Sequence, residues 1–146
     1  MIKIDKYEFD ENRYYYTGGD GHVWVQKLDD GKIRVGFDDF GQQLAGKILF
    51  VRTVSPGKER PKGKSLGTIE TGKYVGAIKC PVTGTIVEIN PAIKDSPALI
   101  NEDPYDKGWI AVIEPNDLEG DLKEDFVFGE AQLKEWMEKE ITAHVK

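Results

Sequence analysis

"SLGTIETGKYVGAIKC", Ser65–Cys80, consists of two strand-like runs joined at "TGKY", and the way its side chains alternate decides what the chain can be. The approach places Leu66, Thr68 and Glu70 on one face of an extended segment and Gly67 and Ile69 on the other, because successive strand residues point to opposite sides. The departure runs through "YVGAIKCP" into the next strand, so "TGK" falls at the tip of a reversal. Gly72 permits the turn, and Lys73 projects into water. Such a lysine is a poor Schiff-base catalyst, since lowering its pKa requires burial or a neighbouring cation. It is a good attachment point, because an enzyme that acylates an amine needs it exposed on a rigid protrusion, and a tethered group then gains a high effective concentration at a docked partner. On spacing alone, a solvated turn lysine is the commoner reading.

Working outward, Gly46 to Ile113 is nearly all β, punctuated by "SPGKERPKG", "PVTG", "NPAIKDSP" and "EDPYDKG". "AGKILFV" leads through a turn-rich loop to "KSLGTIE", and "TGTIVEI" through a longer one to "GWIAVI", a weak internal echo that predicts two β-halves facing one another as a flattened barrel or sandwich. Upstream, "HVWVQKL" and "KIRVGF" alternate as strands around "DDG", whose Gly31 suits the left-handed residue of a hairpin. Val23 and Val25 share one face there, as do Ile33, Val35 and Phe37 on the partner strand. "DDFGQQLA" predicts one or two helical turns capped by Asp38 or Asp39. In "DSPALIN", Asp95 or Ser96 caps a short turn with Pro97 at its first position. After Gly129, "EAQLKEWMEKEITAHV" repeats apolar residues at Leu133, Trp136, Met137 and Ile141, an amphipathic helix over 129–144 that packs on the β-core. Residues 1–13 are expected as a loosely held arm docking through Tyr7 and Phe9, with 14–146 as the single domain.

The 146 residues suit one domain, and the net charge of −6 argues against nucleic acid as a partner. Lys58, Arg60, Lys62 and Lys64 alternate in a Pro/Gly-rich loop and are taken as solvated charges. No apolar run is long enough to cross a bilayer and no leader is present, so a soluble cytoplasmic protein without membrane insertion is expected. One cysteine and two histidines leave too few soft ligands for a structural zinc site, and no metal is expected. No nucleophile has a local histidine partner, and no phosphate-cradling glycine motif precedes a helix, so no catalytic residues are assigned. Adjacent carboxylates such as Asp38/Asp39 and Glu102/Asp103 fit turn caps better than acid–base pairs. Cys80 fits an inert thiol better than a resolving one, and Trp24, Trp109 and Trp136 fit packing roles.

Several blocks together resemble the glycine cleavage H-protein family of lipoyl carriers. They are "YT" at Tyr16–Thr17, "HVWV" at His22–Val25, "VGFDDFGQQLAGKILFV" at Val35–Val51, "PVTGTIVEIN" at Pro81–Asn90 and, most specific, "SPALINEDPYDKGWIAVIEP" at Ser96–Pro115. Aligned this way, "ETGK" at Glu70–Lys73 falls on the family's Glu-Ser-Val-Lys, and Lys73 falls on the lysine that carries lipoate. The resemblance implies a mainly β barrel-sandwich hybrid and a non-enzymatic carrier whose cofactor is covalent lipoate, loaded by a lipoate ligase or lipoyltransferase. It also implies hairpin recognition through Glu70, Gly72 and Tyr74, and an arm cleft near His22 and Phe40. Biotin carriers flank their lysine with methionines, whereas Gly72 and Tyr74 flank this one, which disfavours biotin.

Two departures bear on the cargo. The family typically has glutamate where Val23 stands and aspartate four residues after the lysine, where Ala77 stands; together these help hold the amine of an aminomethyl-loaded arm. With Phe40 at a position often occupied by histidine, the cleft is expected to be more apolar. The pattern is more similar to lipoate-binding proteins of heterodisulfide-reductase-like sulfur-oxidising systems, which would make that complex the partner and sulfur intermediates the cargo. The alternatives are glycine cleavage, with glycine decarboxylase, aminomethyltransferase and dihydrolipoamide dehydrogenase as partners, and an unmodified adaptor of the same fold.

Overall fold

Alternating apolar residues give the middle of the chain its strands, and short polar loops return each strand beside its neighbour. A computed structural model describes residues 1–19 and 21–144; the last two positions of the expected 14–146 span lie outside the described residues. The strands are β1 (Ile2–Ile4), β2 (Tyr7–Phe9), β3 (Tyr14–Tyr16), β4 (Val23–Lys27), β5 (Ile33–Phe37), β6 (Ile48–Thr53), β7 (Glu59–Arg60), β8 (Ser65–Thr71), β9 (Val75–Lys79), β10 (Gly84–Ile89), β11 (Ala111–Pro115) and β12 (Phe126–Phe128). The helices are α1 (Asp39–Ala45), α2 (Ala92–Asp95), α3 (Leu99–Glu102), α4 (Leu118–Asp121) and α5 (Glu130–His144).

A seven-stranded sheet, in the order β12-β3-β4-β5-β11-β10-β7, faces a three-stranded sheet, β6-β8-β9. Between them lies the main core, to which the large sheet contributes Val23, Val25, Ile33, Val35 and Ile113 and the small one Ile48, Val51, Leu66, Ile69 and Ile78. The fold is therefore the mainly β, two-sheet architecture expected, with short helices and a C-terminal helix. Hairpin β4–β5 pairs Val25 with Val35, and Gly31 takes a φ of 87° at its turn. α1 starts at an Asp38 cap, whose carboxylate accepts from the Gly41 N–H at 2.8 Å.

β3 and β4 are buried on both sides. Tyr15 and Trp24, which alternate with the barrel-facing residues, enter a second cluster with Ile4, Tyr7, Phe9, Phe40, Tyr105, Leu133 and Met137. That cluster lies on the back of the large sheet, and α5 packs there, so the helix covers the outside of the barrel. Trp24 donates to the Pro104 carbonyl at 3.0 Å, and Trp136 and Trp109 pack at the cluster's margin.

Local expectations fail in three places. The first nine residues are a hairpin instead of a loose arm: β1 and β2 pair from Ile2↔Phe9 to Ile4↔Tyr7, with Asp5 at a φ of 57° in the turn, a conformation that aspartate tolerates better than most residues. Near residue 96 the chain forms two short helical turns. Asp95 ends α2, Ser96 is its C-cap, and the N-cap of α3 is Ala98, which has no side chain to cap with, so neither Asp95 nor Ser96 caps that helix. The third failure is in β8, where Leu66 and Ile69 are both buried although strict alternation puts them on opposite faces. A bulge between Ser65 and Gly67 inserts one residue and reverses the parity of everything after it.

Candidate functional site

β8 and β9 form the hairpin that presents Lys73, paired up to Glu70↔Val75. Thr71 closes the tip. Its N–H donates to the Tyr74 carbonyl at 3.0 Å, and its Oγ1 accepts from the N–H groups of Lys73 and Tyr74 at 3.1 and 3.3 Å. A threonine hydroxyl used in this way holds a turn without calling on the left-handed conformation. Gly72 accordingly has no positive φ, and a Cβ on it would meet nothing within 4 Å. The turn does not require this glycine, contrary to the sequence expectation; what Gly72 provides is a tip with no side chain beside the lysine.

Lys73 is exposed. Its Nζ hangs 3.9 Å from where a Cβ on Gly46 would stand, at the C-terminal end of α1. Next to it opens a recess of about 420 Å³ between the hairpin, α1 and the end of α5, walled by Phe37, Leu44, Ala45, Ile69, Tyr74 and Ala77, with His22, Lys79 and His144 supplying its basic groups among the described residues. Glu70 faces away from this recess, its Oε1 3.7 Å from Arg52 Nε. Tyr74, half exposed, belongs both to the tip and to the recess wall.

Phe40 does not line the recess. It is fully buried, edge-on to Tyr7 with centroids 4.8 Å apart, inside the second cluster. α1 begins at Asp39, and that phase turns position 40 toward the back of the sheet while Gly41, Leu44 and Ala45 meet the recess. Val23 likewise points into the barrel core with no exposure.

His22 does line the recess, and it also ties three parts of the chain together. Its backbone takes a φ of 46°. Nδ1 lies 2.9 Å from Asp38 Oδ2, and Nε2 lies 2.6 Å from Oε1 of Glu140 on α5. The ring stacks on Trp136 at 4.6 Å and 21°. Burial is the largest influence on its proton and disfavours the charge, but the Asp38 carboxylate and the hydrogen bonds that the ring donates to Asp38 and Glu140 together outweigh it, raising the pKa to about 9. The same pairing with His22 lowers Glu140. At neutral pH this is an imidazolium between two carboxylates.

Sequence reasoning missed Thr71, Lys79, Leu44 and His144. Thr71 had a signal, a hydroxyl two residues before the lysine at a turn, as did Lys79, two residues after Ala77 on one strand face. His144 had none, since only the packing of α5 brings it to the recess. Cys80 is buried, its Sγ donates to the Val82 carbonyl at 3.0 Å, and burial pushes the thiol up to about 11, which marks an inert thiol.

An exposed amine on a preset hairpin tip beside an apolar recess is the geometry of a carrier domain. The family model for "Glycine cleavage H-protein" matches residues 13–140. A glycine cleavage system H protein 2 of Aquifex aeolicus is 44% identical over 128 residues, covering 86% of this chain and 79% of that protein. A probable glycine cleavage system H protein of Thermococcus kodakarensis is 43% identical over 124 residues, covering 85% and 90%. Among solved structures, a glycine cleavage system H protein from Mycobacterium marinum superposes with a TM-score of 0.74 at 27% identity, covering 90% of this chain and 98% of that one. The chain belongs to the glycine cleavage H-protein family, whose members are non-catalytic components carrying lipoate covalently on a lysine. None of these relatives is named for a sulfur system. Among the described residues, no helix is long and apolar enough to cross a membrane.

Proposed function

We propose that Lys73 is the lipoylated residue and that the chain works as an H protein, carrying an aminomethyl group between glycine decarboxylase and aminomethyltransferase and returning to dihydrolipoamide dehydrogenase. The observation that carries the reading is the exposed Lys73 at a hairpin tip preset by Thr71, beside a recess of about 420 Å³. The attached dithiolane would supply thiol–disulfide exchange. This chain's residues do the rest. Thr71 orients the tip, Gly72 keeps it clear for a ligase or lipoyltransferase, and Phe37, Leu44, Ala45 and Ile69 offer an apolar wall against which the arm's chain can shelter from water. Intact mass after incubation with a lipoate ligase tests it. Wild type gains one lipoyl group and Lys73→Arg gains none; modification of the variant, or an unmodified wild type that still supports its pathway, refutes the assignment and favours an adaptor.

One observation favours a second reading, in which the arm carries sulfur intermediates to a heterodisulfide-reductase-like complex. No carboxylate lines the recess among the described residues: Ala77 offers a methyl group, Val23 is buried in the core, and the basic groups are Lys79, His22 and His144. An ammonium-bearing cargo finds no charge partner there, and a partly desolvated ion-pair hydrogen bond is worth roughly 1.5–3 kcal/mol. Reconstitution with glycine decarboxylase and aminomethyltransferase separates the two: brisk aminomethyl transfer supports the first reading, and its absence with lipoylated protein supports the second.

A further inference from the structure

The outward side of the hairpin carries a row of side chains that do not line the recess. Pairing across the small sheet sets Phe50 beside Glu70 and Glu70 beside Val75, so the three side chains form a row across β6, β8 and β9. Phe50 is 59% and Val75 62% exposed, and Leu49, next to Phe50, is 43% exposed. Strict alternation would turn one of Leu49 and Phe50 inward. A bulge between Ile48 and Phe50 spares both that fate, leaving Ile48 and Val51 buried on either side. Large apolar side chains gathered on the outside of a monomer, ringed by polar groups, mark a surface that another molecule covers. The rim has a sign: Arg52, two residues from Phe50 on β6 and 3.7 Å from Glu70, and Lys73 at the tip outnumber Glu70, on a chain whose net charge is −6.

We propose that this face, centred on Phe50 and Val75, is where the enzyme that acylates Lys73 docks, through an apolar socket edged by carboxylates. The proposal rests on Lys73 being the modified residue. The acylating enzyme is the partner that must grip the hairpin itself, because the atom it acts on is Nζ. There the bond from the lipoyl carbonyl to its activating group breaks, that group leaves with the bonding electron pair, an amide C–N bond forms, and the ammonium gives up two of its three protons to become the amide N–H. Enzymes acting later meet the far end of the arm, away from the strands. On its inner side the hairpin tip sits against the end of α1, with Lys73 Nζ 3.9 Å from the Cβ position of Gly46, and the recess opens beside it. The outer side is open at Phe50 and Val75, which lie outside the recess lining, while Ala77 and Lys79, further along the Val75 face, reach the recess.

The test is the steady-state kinetics of lipoylation by a purified lipoate ligase, with Phe50→Ser, Val75→Thr and the double variant compared with Phe128→Ser, an exposed aromatic on β12. Truncated anchor side chains at an interface weaken binding by about tenfold or more. The expected result is therefore a KM for the carrier at least about tenfold higher for the double variant, with kcat within about twofold, and no change for Phe128→Ser. Acetylation of Lys73 by a small soluble ester, read by mass, stays at the wild-type rate in all of them, which separates lost docking from a damaged tip. An unchanged ligase KM overturns the proposal. So does an unchanged ligase KM with a raised KM for oxidation of the reduced arm by dihydrolipoamide dehydrogenase, which would give the face to the later enzyme. Failure of wild type to accept lipoate at all refutes the assignment of Lys73 instead.

Discussion

Replacing Glu140 with glutamine tests the His22 bridge, and the size of the effect follows from the geometry. His22 is 3% exposed, with Asp38 at 2.9 Å on one nitrogen and Glu140 at 2.6 Å on the other. Its folded pKa of about 9 lies above the ordinary 6.5, so the folded protein holds a proton that the unfolded chain has released between these values. The stabilisation is fully present below about pH 6.5 and is lost as pH rises through about 9, a difference of roughly 3 kcal/mol in all. Glu140's lowered pKa is the other side of the same contact and adds nothing further. Glu140→Gln keeps a carbonyl within reach of Nε2 but removes the charge, which costs about 1.5–3 kcal/mol at neutral pH. The carboxylate's poor placement in the last turns of α5 returns only about 0.3–1 kcal/mol of that. Urea unfolding at about pH 6 and about pH 9.5, with imidazole titration followed by NMR, gives the answer directly. Only His22 and His144 contribute signals, and a His144→Asn control assigns them. Wild type loses stability across the interval, while the variant starts lower, declines less and shows a lower His22 pKa. A wild-type stability that is flat from about pH 6.5 to 9, or a His22 that titrates near 6.5 in the folded protein, refutes the reasoning.

Three further outcomes are expected. Asp38→Ala loses both the partner of His22 and the cap on Gly41 and should destabilise by about 3–5 kcal/mol, since it strands part of a buried charge pair. Asp38→Asn keeps the cap and should recover about 1 kcal/mol of that in urea melts. Gly67→Ala drives a methyl group into the Arg52 carbonyl of the neighbouring strand and should cost about 1–3 kcal/mol by the same measurement. Cys80, buried and pushed up to about 11, should react with a thiol reagent at neutral pH only as fast as the protein opens, so alkylation followed by mass should accelerate steeply through the unfolding transition.

What could be read in advance had a local cause. Gly31 at a hairpin turn, Asp38 at a helix start and the period-two faces of β4 and β5 are each decided by a few adjacent residues, and the structure agrees at each. The hairpin at residues 2–9 escaped notice because three-residue strands are too short to show a period, although "IKI" and "YEF" do alternate around Asp5. Phe40 was assigned to the cleft by position in a family pattern. Its true direction depends on the phase of α1 and on the aromatic cluster behind the sheet, which no local sequence rule supplies. His144 reaches the recess only because Leu133 and Met137 anchor α5 on that cluster.

The bulge at Ser65–Gly67 had consequences of a different order, because it decides which way the functional hairpin faces. Counting by twos from Leu66, which is buried, puts Glu70 on the inner side, where it would stand over the recess as the carboxylate that the recess lacks. The extra residue reverses the count, so Ile69 turns inward and becomes part of the apolar wall, while Glu70 turns outward between Phe50 and Val75. One inserted backbone position thus moves a negative charge from the side where a loaded arm would shelter to the side where a protein can bind. The sequence segment that set the fold, Ser65–Cys80, contains the bulge and both residues that it redirects, Ile69 and Glu70, yet their division between cargo and partner is a property of strand register, which a period-two reading of the segment gets backwards beyond Gly67.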